Sequence, residues 1–382
     1  MAGLACLEPS AGRRELLNGP AQAADLKERL QREIALTGPL SVADYVTRCL
    51  HDPQGGYYAT RPAIGPDGDF LTAPTVSQMF GELIGLWLVE TWSRMGAPAR
   101  VQLVEVGPGD GTLIADILRA ARVVPAFLDA CDLTLIEPSG PLRTVQKARL
   151  ANAPVTPRWT DSLSAVDGDA PVLLIANEVL DCLPARQFER TPDGWAERMV
   201  GLDAEGELAF RLGPVGPGFS PPDHELQPGQ VVEQSSAQRA FAGTVANLLK
   251  QHTGAALLID YGRDAPGPGD TLQALSRHEK VDPLATPGQA DLTQWADFPA
   301  VLAAARAGGV STAPLLSQAE FLTRLGLHVR ADRLKSAQPE AAALIDRQVQ
   351  RLTAPDQMGT LFKVAALHSP DTPPPPAFEV AP

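Results

Sequence analysis

Between Val101 and Gly111 the chain reads VQLVEVGPGDG, and TLIADILR at 112–119 then places apolar side chains at helical spacing. An apolar strand, a loop with glycine at every second position (Gly107, Gly109, Gly111) and a helix follow one another. This commits the segment to an α/β sheet, because the apolar period lengthens across the glycines. It also presents backbone N–H groups and a helix N-terminus to a nucleotide-like ligand, and glycine lets ligand atoms approach the backbone closely. Glycines serve ordinary strand-to-helix turns too, so the loop alone is a weak signal. Two acids sharpen it: Glu105, two residues ahead of the first glycine, and Glu137, at the end of the next apolar run.

That run is CDLTLIEPS at 131–139, and Glu137 lies 30 residues beyond Gly107, room for a helix and a returning strand. A carboxylate there can accept both hydroxyls of a ribose. A dinucleotide fingerprint reads G-x-G-x-x-G with its acid about 20 residues on, whereas this chain has E-x-G-x-G-x-G and a later acid. Together these features resemble the class I S-adenosylmethionine (SAM) methyltransferases. The resemblance implies SAM as cofactor, held by Glu105, Gly107, Gly109, Gly111 and Glu137. A nucleotide-linked oxidoreductase and a purely structural turn are the competing readings.

Organisation follows from periodicity. Helices are expected over residues 24–36, from Ser41 to Leu50 behind a Ser41/Asp44 capping box, and over 77–95. Strands are expected at 101–106, 132–137, 154–158, 171–176 and 255–260, with helices near 111–122, 140–150, 179–183 and 236–252. Such alternation implies an α/β fold built on a mostly parallel, Rossmann-like sheet covered on both faces. QFERTPDGWAERMVGL at 187–202 and LAFRL at 208–212 read as an inserted antiparallel meander. Residues 263–315 show weak periodicity and are expected to form a lid together with the 65–74 loop. Further helices are expected at 317–326 and 338–352, and a closing strand at 358–368.

The expected division is a disordered segment over 1–22, a helical extension over 23–98, a methyltransferase-type core over 99–368 with insertions near 186–232 and 263–315, and a disordered proline-rich tail over 369–382. A net charge of −13 argues against nucleic acid or an anionic membrane as the main partner. No run approaches a membrane span and the N-terminus lacks the apolar core of a secretory signal, so an intracellular protein is expected. The composition leans towards a bacterial cytoplasm; a mitochondrial matrix suits the chain equally. Cys6, Cys49, Cys131 and Cys182 lack metal-ligand spacing and read as reduced thiols. No histidine pairs with another ligand residue at such spacing, and no metal is expected.

The second chemistry-bearing segment is VLLIANEVLDCLP at 172–184, where an apolar strand gives way at once to Asn177, Glu178 and Asp181. Ligands of open α/β sheets bind beyond the carboxyl ends of the strands, so Asn177 is expected to face the cofactor. On one turn of helix, Glu178 and Asp181 would project side by side at i and i+3. Paired carboxylates of that kind would orient a guanidinium, localise its charge and help remove a proton. The plainer reading makes Asn177 an N-cap and the two acids helix-dipole partners.

With these residues in hand, the chain resembles the MidA family, which includes mitochondrial methyltransferases that assist respiratory complex I assembly. The resemblance spans about residues 24–368 and rests on HDPQGGYY at 51–58, GDFLTAPTVSQMFGE at 68–82, VEVGPGDGTL at 104–113, NEVLDCLP at 177–184, LIDYG at 258–262, PGQADLT at 287–293 and MGTLFK at 358–363. It implies methylation of a protein arginine, on a respiratory complex I subunit or its bacterial counterpart, by Glu178 and Asp181. A non-catalytic assembly factor that keeps the fold as a docking surface is the alternative. Asp69, Thr72, Ser77 and Gln78 are expected to close over the cofactor, and Asp161 to approach the adenine or to cap a helix. Asp260 to Gly262 are expected to wall the acceptor channel. Three positions depart from the family pattern: Thr75 where Glu is usual, Asp110 where Arg is common, and Val179-Leu180 where two aromatics are usual.

Overall fold

The computed structural model describes residues 25–60, 72–223 and 225–379. Residues 1–22, Cys6, Asp69 and most of the 65–74 loop therefore lie outside the described residues. The core sheet is built from β1 (Val101–Val106), β2 (Cys131–Ile136), β3 (Arg158–Thr160), β4 (Val172–Asn177), β5 (Gly254–Arg263) and β6 (Phe362–His368). Their spatial order is β3-β2-β1-β4-β5-β6. All neighbours are parallel except β6, which runs antiparallel to β5. The chain leaves β1, builds outward to β3, and returns on the other side of β1 as β4. The carboxyl ends of β1 and β4 thus form the topological switch point where such sheets bind ligands.

The apolar run of β4 and the fully buried β1 lie at the centre, where both faces are covered. Alternate residues feed two cores. Leu103, Leu133, Leu173 and Leu257 pack with the helices Gln78–Arg94 and Thr112–Ala121. Val104, Leu174, Ala256 and Leu258 pack on the opposite face with the helices Ser236–His252 and Phe298–Ala307. Half of the expected capping box forms: the Ser41 hydroxyl accepts from Asp44 N–H at 3.0 Å and starts the helix Val42–His51, while the Asp44 carboxylate accepts from the Ser41 hydroxyl rather than from its N–H.

The N-terminal helices Leu26–Thr37 and Val42–His51 do not join those layers. Leu26, Tyr45 and Leu50 share a third core with Val200 of the meander and with Ala274 and Leu292 of the second insertion. The Tyr45 hydroxyl donates to the Pro283 carbonyl at 2.7 Å across this junction. The meander strands Arg186–Thr191, Gly194–Leu202 and Leu208–Gly213 form as expected. A strand Val231–Gln234 joins them.

Several expectations need correction. No helix forms at 179–183; the chain turns there. The strand expected at 154–158 is the shorter β3, displaced towards the carboxyl side. Residues 263–315 are not a featureless lid. They contain a three-stranded sheet (Gln273–Ser276, Glu279–Val281, Asp291–Thr293) and the helix Phe298–Ala307, whose Asp297 cap accepts from Ala300 N–H at 3.1 Å. The helix Leu327–Ala337 was not anticipated, and the closing strand begins only at Phe362.

The tail is ordered as far as Glu379. Trp87 donates its indole N–H to the Pro376 carbonyl at 3.0 Å, and Phe378 is 3% exposed against Phe321. Four consecutive prolines from Pro373 to Pro376 carry no N–H that needs a partner, and carbonyls of the segment accept from Trp87 and Arg324.

Candidate active site

Gly107, Gly109 and Gly111 all adopt left-handed backbone conformations, with φ of 62°, 56° and 82°. An L side chain in that region costs on the order of 1–2 kcal/mol, which explains glycine at every second position. Gly111 is the N-cap of the helix Thr112–Ala121, so the loop delivers that helix N-terminus to the carboxyl end of β1. Asp110 lies inside the loop, 5% exposed, accepting from Thr112 N–H at 2.9 Å and from the Arg149 guanidinium at 2.7 Å. The acid that departs from the family pattern is therefore matched by a cation of its own.

Glu105 is 2% exposed, and its Oε2 has no hydrogen-bond partner among the described residues. Burial first, then the charges of Asp110 and Glu137, push its carboxyl up to about 8, with nothing acting the other way. A buried acid in these surroundings suits a cationic ligand, whose charge would favour its ionised form. Glu137, at the end of β2, is also buried. Its two oxygens accept from Ser139 N–H at 2.8 Å and from the Gln146 amide at 3.1 Å, which fixes its orientation. Burial raises the Glu137 carboxyl, and these two bonds partly offset it.

Gln146 was missed in the sequence. Its amide nitrogen also donates to the Gly109 carbonyl at 2.7 Å, and its oxygen accepts from Trp159 at 2.8 Å. It sits fully buried on the helix Gly140–Arg149, on the same buried face as Leu142. A polar residue on that face was the available signal. Asp161 is exposed and ion-paired with Arg143, whose Nε donates to the Glu137 carbonyl at 2.5 Å. It does not cap a helix; Ser162 caps the short turn Leu163–Ala165 instead.

At the end of β4 the Asn177 amide donates to Glu178 Oε1 at 3.0 Å, and Asn177 Oδ1 is buried without a partner among the described residues. Glu178 has φ 53°, left-handed for a residue with a side chain, and its N–H donates to the Ile259 carbonyl at 2.8 Å. Beyond it the Asp260 carboxylate accepts from Leu180 and Asp181 N–H at 2.8 and 3.1 Å. Those bonds fold the segment into a turn and take the place of the expected helix. Glu178 and Asp181 still converge, but through this turn rather than at i and i+3 on a helix, and Asn177 caps nothing.

The acceptor side is acidic. Burial first and then the Asp181 charge push the Glu178 carboxyl up to about 8, against the Asn177 bond and the Ala73 N–H at 3.4 Å. Asp181 is 5% exposed, accepts from the Tyr261 hydroxyl at 2.8 Å, and leaves Oδ1 without a partner among the described residues. Asp260 is fully buried, and burial with the Asp181 and Glu178 charges raises it well above the ordinary carboxylate range. Among the described residues, no Lys or Arg pairs with Glu178, Asp181 or Asp260. The sequence also gave no sign that Tyr58 of the N-terminal extension meets Asp291 of the second insertion, with its hydroxyl 2.9 Å from Oδ1.

Thr72, just ahead of Ala73, hydrogen-bonds with Thr75, so this segment reaches the Glu178 carboxylate through the Ala73 N–H. The Ser77 hydroxyl caps Met79 N–H at 3.2 Å and donates to Gln348 at 3.2 Å, while Gln78 is exposed. Among the described residues no group of three His, Cys, Asp or Glu is placed to hold a metal ion. A surface cleft of about 670 Å³ lies elsewhere, between Leu208–Gly213 and residues 268–270, and none of the expected site residues lines it.

Comparison with known proteins agrees with this geometry. Residues 83–315 match a family of S-adenosyl-L-methionine-dependent methyltransferases. The mitochondrial protein arginine methyltransferase NDUFAF7 of Rattus norvegicus is 34% identical over 94% of this chain and 89% of its own length. The Homo sapiens protein of the same name is 34% identical over 92% and 85%. A Burkholderia thailandensis protein crystallised with S-adenosyl-homocysteine superposes with a TM-score of 0.80 and 27% identity, covering 93% of each chain. From the motifs, the sheet order and these matches, the chain belongs to the MidA family of S-adenosyl-L-methionine-dependent methyltransferases.

Proposed function

We propose that this protein methylates an arginine side chain of a protein substrate. One observation carries the proposal: Glu178, Asp181 and Asp260 gather at the ends of β4 and β5 without a cationic partner among the described residues. A guanidinium is a planar, permanently charged group with five N–H donors, and paired carboxylates hold it in two directions. The relatives named as protein arginine methyltransferases support the same acceptor.

The residues present suit SAM. The orphaned Glu105 Oε2 and Asn177 Oδ1 offer acceptors to the cationic methionine end, and the Gly107, Gly109 and Gly111 loop leaves room for close approach. Glu137, oriented by Ser139 and Gln146, would take the ribose hydroxyls. Asp161 is the candidate on the adenine side, and Thr72, Ser77 and Gln78 belong to the covering segment. The Ser77 hydroxyl is already engaged, so its part there is to shape the backbone.

Bound SAM supplies a methyl group on a sulfonium, whose departing electron pair stays on sulfur. Glu178 and Asp181 hold the guanidinium so that one nitrogen faces that methyl. Glu178 then takes the proton the methylated nitrogen loses. Its raised affinity for protons suits a base working near neutral pH. The finer reading of the target is a subunit of respiratory complex I or its bacterial counterpart, met in a bacterial cytoplasm or a mitochondrial matrix.

The test offers purified protein methyl-labelled SAM with protein extracts lacking this activity, followed by mass spectrometry of the labelled product. Methylarginine is the expected product. Label confined to lysine or carboxylate side chains overturns the proposal.

A further inference from the structure

Asp260 lies on β5, yet its side chain reaches across to the turn after β4. Oδ2 accepts from both Leu180 N–H at 2.8 Å and Asp181 N–H at 3.1 Å, while Oδ1 accepts from Tyr261 N–H at 2.8 Å. Asp commonly makes such bonds when it caps a helix N-terminus. Here no helix follows, and the cap comes from a neighbouring strand some 80 residues away in sequence. Immediately before the turn, Glu178 holds its left-handed backbone, with its N–H on the Ile259 carbonyl at 2.8 Å. Ile259 and Asp260 therefore grip the chain on both sides of a strained residue. Such conformations persist only where the surroundings over-determine them. The next residue of β5 completes the grip, because the Tyr261 hydroxyl donates to Asp181 Oδ2 at 2.8 Å.

We infer that Asp260 is a positioning residue for methyl transfer, pinning the turn that aims Glu178 and Asp181 at the acceptor. It touches neither cofactor nor acceptor in this account. It acts through the backbone of the turn, which it holds at the Leu180 and Asp181 N–H groups. The groups facing it and its turn are Glu178, Asp181, Asp291, Cys182, Tyr58 and Tyr261, all acidic or neutral. The inference rests on the reading of Glu178 as the proton acceptor.

The test compares Asp260→Asn with wild type in kcat, acceptor KM, S-adenosyl-homocysteine affinity and the pH dependence of kcat/KM. The amide keeps an acceptor oxygen for the turn but removes the charge and one of three hydrogen bonds. The expected result is a kcat lowered ~10-fold or more, as misplacement by a fraction of an ångström produces. Cofactor affinity should be unchanged, and the acidic limb should stay in place, because the charges that raise Glu178 are those of Asp181 and Asp291. A folded variant with wild-type kcat overturns the inference, as does a fall in kcat that comes only with a moved limb. Should Asp260→Asn not fold, amide hydrogen exchange of the wild-type protein decides. Protected Leu180 and Asp181 amides support it; exchange as fast as in open loops overturns it. Glu178→Gln is run alongside. Full turnover in that variant overturns the base reading itself, whereas loss there with an unaffected Asp260→Asn overturns the positioning role alone.

Discussion

The Gln146 amide nitrogen lies 3.1 Å from Glu137 Oε2 and 2.7 Å from the Gly109 carbonyl oxygen, so one side chain ties the ribose-side acid to the glycine loop. The two halves of the cofactor site are thereby set against each other before any ligand arrives, which lowers the ordering cost of binding.

Glu137→Ala should weaken SAM binding by ~1–3 kcal/mol, the usual loss of a charge-assisted acceptor. Gln146→Leu should weaken it less, by about 1 kcal/mol, because the acid remains but is free to turn. Gly109→Val should abolish binding, since the valine crowds the loop and resists the left-handed conformation at φ 56°. Calorimetric titration with S-adenosyl-homocysteine checks all three; unchanged affinity in folded Glu137→Ala contradicts the ribose assignment.

Glu105 makes cofactor binding depend on pH. Its folded carboxyl sits at about 8, above the ordinary 4.5. In the free protein its stabilising contribution is complete below pH 4.5 and is lost as pH rises through about 8. A cationic ligand favours the ionised form, so binding should release a proton within that window, and affinity should rise with pH and level off above about 8. Glu105→Gln should flatten the profile. Titrations in buffers of differing ionisation enthalpy measure the proton directly, and none released near neutral pH contradicts the assignment.

Much of the core was legible because its signals are local. The apolar runs of β1 and β4, the alternating glycines and the Ser41/Asp44 box each specify their own backbone. What escaped depends on partners distant in sequence. The 179–183 segment carries an acid and apolar residues suited to a first helical turn, but Asp260 claims its N–H groups from another strand. Tyr58 and Asp291 look unremarkable alone and meet only because the N-terminal helices and the second insertion share a core. The proline-rich tail has the composition of a disordered segment, yet Phe378 gives it an anchor that composition does not weigh.

That anchor is itself testable. Phe378 is 3% exposed and packs 5.6 Å, centroid to centroid, from Phe321. Phe378→Ala should lower stability by about 3 kcal/mol, the low end of the range for a buried phenylalanine. Thermal unfolding followed by circular dichroism reads the change, and a Tm equal to wild type contradicts the packed tail.

The central claim is that Glu178 and Asp181 act on an arginine rather than merely completing a turn. Removal of a general base typically lowers rate by ~100- to 10,000-fold, whereas loss of a capping acid costs about 1 kcal/mol of stability and leaves turnover near normal. The decisive measurement is single-turnover methyl transfer by folded Glu178→Gln and Asp181→Asn to the unmethylated form of the target protein, with S-adenosyl-homocysteine affinity measured in parallel. The account predicts transfer to arginine lowered at least ~100-fold in Glu178→Gln, and strongly reduced in Asp181→Asn, with cofactor affinity retained. Near wild-type transfer in both variants would contradict it.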